Sequence, residues 1–268
     1  MKGVLIYAFN NARINYFRQA VWCANRVTKF LNLPVTIVTD PASAELDACP
    51  HDIIYTEASS GGTRVYSPTI STRGDTWFNG NRYQSFDLSP YDQTLVIDSD
   101  YIVCSDRLLT LFDSGIDITA MKHVYDVTNR DQFLPFKFIS KNRSLHHYWA
   151  TVLYFNKSEM AQDFFKIVTM VRENYQHYSN LYQFASSPFR NDFAVSIALN
   201  TLYGHIPDAV PVIPWHMANV FSDVEISSED QETFNLTYPV DNKLKTISLT
   251  GQDFHFMNKN SLEKLYEY

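Results

Sequence analysis

The sequence predicts an α/β fold built on a mixed, mostly parallel sheet that is flanked by helices. Gly3–Phe9 is a short apolar run, and Val35–Val38 is a β-branched run that follows Pro34. Between them, Tyr16–Leu31 places apolar residues three and four positions apart, the spacing of a helix with one buried face. Strand, helix and strand in so short a segment are typical of a crossover unit, so the two strands should be parallel.

The rest of the chain continues this alternation, and we expect residues 1–268 to form a single domain. The segment Phe221–Lys245 is predicted to be irregular or strand-rich. Further strands are predicted at Asp52–Tyr55, Gln93–Ile97, Ile116–Ala120 and Thr151–Phe155, and further helices at Trp77–Phe86, Glu159–Tyr175 and Asp192–Tyr203.

Composition and charge exclude several classes of protein. Of the 268 residues, 45% are hydrophobic, which is enough for one sizeable core. The net charge of −7 argues against a broad nucleic-acid-binding face, because such faces are basic. No stretch approaches the roughly 20 apolar residues that span a bilayer, and no secretion leader is recognisable, so we expect a soluble cytoplasmic protein. Cys23, Cys49 and Cys104 lack metal-binding spacing and are predicted to be free thiols.

The most informative segment is Tyr91–Val103, which reads YDQTLVIDSDYIV. An apolar strand here ends in Asp98 and Asp100, and open α/β sheets bind ligands at the carboxyl ends of their strands. Residues two apart on an extended chain point the same way, so both carboxylates can approach one ion. Such oxygen ligands suit Mn²⁺ or Mg²⁺, which often complete their coordination with substrate phosphates. The alternative is that Asp98-Ser99-Asp100 is only a turn or a helix cap.

Three segments together, VLIYAFN, VTIVTD and YDQTLVIDSDYIV, resemble the GT-A fold, the Rossmann-like fold of nucleotide-sugar glycosyltransferases. The DxD motif of that fold matches Asp98-Ser99-Asp100. The resemblance implies that Mn²⁺ or Mg²⁺ is held against the diphosphate of a nucleotide sugar, with a UDP-sugar as the first expectation. It also implies a nucleotide-sugar-binding half over residues 1–120 and a C-terminal, acceptor-side extension over residues 121–268.

Within that fold, the chain is most similar to the retaining family that includes glycogenin and bacterial galactosyltransferases. The resemblance implies a nucleotide-contacting loop after the first strand and a basic residue, Arg82, that contacts the nucleotide and the sugar. The segment Trp149–Asn156 stands where the family has FNxGV, but it lacks the glycine. The loop residues are Ala8, Phe9, Asn10 and Asn11.

The same resemblance assigns roles in the second half of the chain. Asp192 matches an acidic residue that opens a late helix and faces the donor sugar and the acceptor. The segment HFMNK matches a C-terminal motif in which His255 is the third metal ligand and Lys259 holds the β-phosphate. Asp40, after the second strand, either accepts hydrogen bonds from the base or ribose or caps the segment that follows.

Roles are also predicted for polar residues outside these motifs. His146 and His147 are adjacent, so on a strand they would face opposite ways, and we interpret them as structural or acceptor-side residues. His123 follows a predicted strand at a position where it would line the cleft. Asp126, just beyond it, is a candidate general base, which an inverting enzyme would need.

Two other functions remain open at this point. A nucleotidyltransferase also combines an α/β sheet with acidic metal ligands, although its typical glycine-rich loop is replaced by NNARIN here. The other alternative is a non-catalytic protein that binds nucleotide sugars. The acceptor is either a glycan or lipid-linked sugar, a protein, or a modified base in DNA, as in some bacteriophage enzymes whose short soluble architecture is similar. The net charge does not favour nucleic acid.

Overall fold

The computed structural model describes residues 1–45, 49–59, 62–64, 75–130, 137–140, 144–184, 189–206 and 208–266. The helices are α1 (Tyr16–Leu31), α2 (Ser85–Leu88), α3 (Glu159–Glu173), α4 (Tyr175–Tyr182), α5 (Asn191–Leu202) and α6 (Lys259–Glu263), with 3₁₀ helices at Asn81–Gln84 and Arg107–Asp113. The strands are β1 (Lys2–Tyr7), β2 (Val35–Thr39), β3 (Asp52–Tyr55), β4 (Gly62–Arg64), β5 (Asp75–Trp77), β6 (Gln93–Ile97), β7 (Tyr101–Ile102), β8 (Ile118–Met121), β9 (Val124–Asp126), β10 (Trp149–Asn156), β11 (Met217–Val220), β12 (Glu225–Ser228), β13 (Thr233–Val240), β14 (Lys243–Thr250) and β15 (Phe254–Phe256).

The central sheet has six strands in the order β3-β2-β1-β6-β10-β8. The pairs β3–β2, β2–β1 and β1–β6 are parallel, whereas β10 runs antiparallel to both β6 and β8. The α/β fold with a mixed, mostly parallel sheet is therefore confirmed. Because β8 runs in the same direction as β6, the carboxyl ends of β1, β2, β6 and β8 all lie at one edge of the sheet.

Helices cover both faces of this sheet, which explains why its central strands are buried throughout. Val4 and Ile6 of β1 pack in one core cluster, together with Phe17 of α1. Leu5 and Tyr7 point to the other face and pack in a second cluster with residues of α3 and α5. Strands covered on both faces read as continuous apolar runs, as β1 and β6 do.

A second sheet, in the order β7-β15-β11-β9, lies beside the carboxyl edge of the first, because β7 follows β6 after a short turn. The region predicted to be irregular or strand-rich forms an antiparallel sheet, β12-β13-β14. Phe234 and Leu236 of β13 pack in one cluster with Phe254 and Phe256 of β15, which joins the two smaller sheets.

Two predicted helices need correction. The segment Trp77–Phe86 is not one helix: Trp77 ends β5, and helical structure begins only at Asn81. Asn79 and Gly80, which have low helix propensity, separate the two parts. The helix predicted over Glu159–Tyr175 ends at Glu173, and α4 begins at Tyr175.

Among the described residues, none of the helices is both long enough and apolar enough to cross a membrane.

Candidate functional site

The segment that follows β6 passes from the central sheet to the second sheet and carries Asp98 and Asp100. The Asp98 amide donates to the Thr151 carbonyl of the neighbouring β10 at 3.0 Å, and the Tyr101 amide donates to the Asp98 carbonyl at 3.0 Å. The thiol of Cys23 on α1 donates to the Tyr101 carbonyl at 3.2 Å. One of these bonds closes the turn and the other two tie it to β10 and α1, so the backbone that carries both carboxylates is held in place.

His255 reaches this turn through strand pairing. In the antiparallel pair β7–β15, His255 lies opposite Tyr101, and the Phe256 amide donates to the Asp100 carbonyl at 3.0 Å. The His255 Nε2 atom is 3.3 Å from Asp100 Oδ2. One ligand atom each from Asp98, Asp100 and His255 lie within 4.8 Å of one another. The structure thus brings together the three residues predicted as metal ligands.

Asn219 fixes the orientation of the His255 ring. Strand β11 is parallel to β15 with Asn219 beside His255, and Asn219 Oδ1 is 2.6 Å from His255 Nδ1. When Nδ1 carries the proton and donates to this oxygen, Nε2 is the nitrogen that a metal ion would bind. Sequence reasoning missed Asn219, and its only signal is one amide side chain in the otherwise apolar strand MANV, where it is 0% exposed.

Two cations neutralise the two carboxylates. The Lys259 ammonium contacts Asp100 Oδ2, and the Arg82 guanidinium contacts Asp98 Oδ1 and also the Ala150 carbonyl. In the structure the buried Arg82 guanidinium lies against Asp98, and its contact with the nucleotide and sugar stays a prediction. The Asp98 side chain is 24% exposed and that of Asp100 is 5% exposed, so Asp98 is the more open of the two carboxylates.

Asp100 is ionised despite its burial. Burial would raise the pKa of its carboxyl, but the positive charge of Lys259, the neighbouring His255 and hydrogen bonds from both outweigh it and hold the pKa well below its usual range. An anionic Asp100 is the form that binds a cation.

Asp192 lies in the first turn of α5 and is linked to this cluster through one peptide group. Its Oδ1 accepts a hydrogen bond from the Ala150 amide at 2.9 Å, and its Oδ2 is 3.1 Å from an Arg190 nitrogen. The carbonyl of the same Ala150 residue accepts from Arg82. A chain of contacts therefore runs from Asp192 through Ala150 and Arg82 to Asp98.

The loops predicted to contact the nucleotide follow β1 and β2 at the same edge of the sheet as Asp98. Asn10 binds the loop after β2, with its amide donating to Ser43 Oγ at 2.8 Å, and Asp40 Oδ1 accepts from the Ser43 amide at 2.7 Å. Asn11 Oδ1 accepts from the Ile14 amide at 2.9 Å, ahead of α1. Ala8 and Phe9 are buried at the start of this loop. Asp40 thus makes the capping contact that was one of its two alternative roles, and contact of these residues with a nucleotide stays a prediction.

Asp126, the candidate base, is engaged in a local turn. Its Oδ1 accepts from the Thr128 amide at 2.9 Å and its Oδ2 from the Arg130 amide at 3.1 Å. Both oxygens hold the backbone after β9, which favours a structural role. The ring of Trp149, the first residue of β10, lies beside the metal ligands, with its centroid 6.4 Å from that of His255.

The donor set of this cluster fits a divalent cation. Two carboxylates and one imidazole suit Mn²⁺, which accepts both oxygen and nitrogen ligands, and Mg²⁺ fits through the carboxylates. Asn219 supplies the outer contact that a ligating histidine usually has. Lys259 and Arg82 add positive charge beside the ligands, which favours an anionic co-ligand such as a diphosphate.

No protein-family model and no curated relative matches the chain. Solved structures that match it include the galactosyltransferase LgtC in complex with donor and acceptor sugar analogues, at 13% identity and a TM-score of 0.43, covering 74% of this chain and 83% of that one. Mouse xyloside xylosyltransferase 1 matches at 13% identity and a TM-score of 0.46, covering 77% and 84%. A putative glucose-1-phosphate thymidylyltransferase from Bacillus anthracis matches at 11% identity and a TM-score of 0.40, covering 75% and 94%. Glycosyltransferases of the GT-A fold are thus among the structural neighbours, and so is a nucleotidyltransferase.

Proposed function

We propose that this protein transfers a sugar from a nucleotide-diphosphate donor to a hydroxyl group of an acceptor. The expected donor is a UDP-sugar. The observation that carries the proposal is the cluster of Asp98, Asp100 and His255, whose ligand atoms lie within 4.8 Å of one another beside Lys259. Strand ends far apart in the sequence supply these groups, so their meeting is a property of the fold. The cluster lies at the carboxyl edge of the sheet, the usual ligand edge of open α/β folds.

Asp98, Asp100 and His255 would hold Mn²⁺ or Mg²⁺. When bound, the cation supplies positive charge that stabilises the diphosphate as the sugar leaves it. Lys259 contributes a compact second charge for the β-phosphate, and would exchange its contact with Asp100 for one with the donor. Arg82 keeps Asp98 in place through its simultaneous contact with the Ala150 carbonyl.

Asp192 faces the donor sugar and acceptor in this proposal. Its contact with the Ala150 amide fixes the carboxylate relative to Asp98, because Ala150 also binds Arg82. The loops after β1 and β2, with Ala8, Asn10 and Asp40, would hold the nucleoside on the opposite side of β6 from β10 and β8.

The deciding experiment measures the thermal midpoint of the protein with a panel of nucleotide sugars, each with and without Mn²⁺. A ligand that binds only the folded state raises the midpoint by mass action. We expect one nucleotide sugar to raise it strongly only when Mn²⁺ is present. Asp98→Asn and Asp100→Asn should remove the metal-dependent part of the shift, whereas Asp113→Asn, which breaks an exposed ion pair with Lys2, should keep it.

The other outcomes identify the other functions. Stabilisation by a nucleoside triphosphate, with release of pyrophosphate on adding a sugar phosphate, would identify a nucleotidyltransferase. Metal-dependent binding of a nucleotide sugar without transfer or hydrolysis would identify a binding protein. If no nucleotide sugar shifts the midpoint with Mn²⁺, the proposal is wrong.

A further inference from the structure

A group of basic residues lies at the same sheet edge as the metal ligands but on the far side of β6 from the nucleotide loops. Lys122 and His123 directly follow Met121, the last residue of β8, and Met121 pairs with Trp149. The Trp149 ring is 6.4 Å from the His255 ring, so β8 delivers these side chains next to the candidate metal site. In the strand order, β1 and β2 lie on one side of β6, and β10 and β8 on the other.

Segments distant in the sequence complete the group. The His216 ring centroid is 5.0 Å from that of His123, and the Met217 amide donates to the His123 carbonyl at 2.8 Å. A β-bridge pairs Phe138 with His146, which places Lys137 beside them. We call Lys122, His123, Lys137, His146 and His216 the basic cluster.

The basic cluster carries excess positive charge in a protein whose net charge is −7. Among the described residues, Asp208 is the acidic group that acts electrostatically on both His123 and His146, and its oxygen is 3.3 Å from the Lys122 ammonium. That carboxylate is 86% exposed, so the pair is a weak one that a bound anion can replace. In the part of the chain that the structure describes, two lysines against this one aspartate give the cluster a positive charge even with neutral imidazoles.

The two imidazoles respond to this charge. Burial, His216, Lys122 and Lys137 lower the pKa of His123, and burial, Lys122, Lys137 and His123 lower the pKa of His146, with Asp208 opposing in both cases. An anion in the cluster would offset the repulsion between these cations. Binding an anion should therefore raise the pKa of both histidines and draw protons onto them.

We propose that the basic cluster binds an oxyanion, a phosphate or a carboxylate, carried by the acceptor near the hydroxyl that receives the sugar. The assignment of the anion to an acceptor rests on the proposed function, whereas the anion site itself does not. Lysines and protonated histidines are suitable donors to either group. A cluster on the opposite side of Asp98 from the nucleotide loops selects an acidic acceptor without interfering with the anionic donor.

The first test needs no turnover. Histidine ring signals of the metal-free protein are followed by NMR across pH, alone, with inorganic phosphate and with acetate, and are assigned by single His→Gln variants. We expect phosphate, acetate or both to raise the pKa of His123 and His146. In Lys122→Gln and Lys137→Gln the starting pKa of both histidines should be higher, since a nearby cation is gone, and anion affinity should fall about tenfold, the scale of one charge-assisted hydrogen bond.

Lys166→Gln is the matched control, because it breaks another lysine–aspartate pair, with Asp163, on the exposed face of α3. It should leave the histidine titrations unchanged. Since the Lys122 stem is largely buried, the exposed Lys137 provides a variant that should keep the thermal midpoint of the parent. The proposal is overturned if neither anion changes the His123 and His146 titrations. It is also overturned if the anions bind the Lys137→Gln variant as tightly as they bind the parent.

The second test compares three matched acceptors in the presence of Mn²⁺ and the donor: a neutral glycoside, one with a carboxylate and one with a phosphate. The acidic acceptors should have the lower KM, and Lys137→Gln should abolish that advantage. A preference for one of the two identifies the source of the anion, and no preference for either contradicts the proposal. Failure of transfer to all three would count against the proposed function, while the NMR result would still decide the anion site.

Discussion

Lys259 forms an ion pair with Asp100 although 159 positions separate them in the sequence. The ammonium contacts the same carboxylate oxygen that lies 3.3 Å from His255 Nε2. One oxygen therefore faces both a metal ligand and the cation assigned to the donor phosphate. Metal binding and phosphate binding should be coupled at this atom, because a cation that takes Asp100 frees Lys259 for the diphosphate.

Replacing Lys259 by Met should separate these two steps. Without the competing ammonium, Asp100 is more available, so Mn²⁺ alone should bind as well as or better than in the parent. Binding of the nucleotide diphosphate in the presence of Mn²⁺ should weaken by about tenfold or more, since a charge-assisted contact is lost. Titration of free Mn²⁺ by electron paramagnetic resonance measures the first, and calorimetry with UDP the second. Equal loss of both affinities would contradict this coupling.

Replacing Asn219 by Leu should weaken metal binding without touching a ligand. The His255 ring loses the acceptor at its Nδ1, and removal of such an outer contact typically lowers metal affinity by about 10- to 100-fold. Asn219→Asp keeps an oxygen acceptor at this position and should restore most of the affinity. Mn²⁺ affinity and the thermal midpoint are measured together for both variants. The positioning role is wrong if Asn219→Leu folds normally and binds Mn²⁺ like the parent.

Replacing Asp192 by Asn should lower kcat and leave the KM for the donor nearly unchanged. The amide oxygen can still accept from Ala150, but the ion pair with Arg190 and the negative charge that would face the reacting sugar are lost. A charge placed for the transition state is typically worth about 10²-fold in kcat. Steady-state kinetics at saturating Mn²⁺ provides the measurement, with Asp163→Asn on the exposed face of α3 as the control. A large rise in donor KM at constant kcat would assign Asp192 to binding.

A pH effect on stability should come from Asp253, which precedes β15. Burial raises the pKa of its carboxyl, although Oδ1 accepts from the Cys104 amide at 2.7 Å and from Ser105 Oγ at 3.0 Å. For a group whose pKa is raised by folding, the stabilising contribution is present below the unfolded pKa and is lost as pH rises through the folded pKa.

The free energy of unfolding of Asp253→Asn minus that of the parent should therefore increase as pH rises from about 4, the usual pKa of an aspartate. It should become constant above the folded pKa. Denaturant unfolding at a series of pH values measures this difference, in which the other titrating groups cancel. A difference that stays constant or decreases over this range would show that burial does not dominate at Asp253.

Elements with a local pattern were predictable from the sequence. The helix Tyr16–Leu31 and the strand Gln93–Ile97 have the predicted bounds, because the spacing of their own apolar residues defines the buried face. Asp98 and Asp100 could be identified from the sequence for the same reason, since they directly follow that strand. The prediction of one helix over Trp77–Phe86 was wrong because the apolar residues of this segment belong to a strand and to separate short helices.

Residues whose role depends on the pairing of distant segments could not be predicted from a local sequence pattern. His255 and Lys259 were identified only through a resemblance of HFMNK to a known motif. Asn219 had no such motif, and its contact with His255 depends on the parallel register of β11 and β15, which no local pattern specifies. The contact between Arg82 and Asp98 depends on how the 3₁₀ helix Asn81–Gln84 places Arg82 next to Ala150 of β10.

The turn between β6 and β7 also has a consequence for synthesis of the chain on the ribosome. A chain made from its N-terminus contains both carboxylates early, whereas His255 and Lys259 appear more than half the sequence later. Until β15 pairs with β7, Asp98 and Asp100 form an acidic pair without Lys259 or His255, and β7 has an unpaired edge. The nascent protein should therefore be unable to bind a nucleotide-sugar donor. The metal site would be complete only when the second sheet has formed.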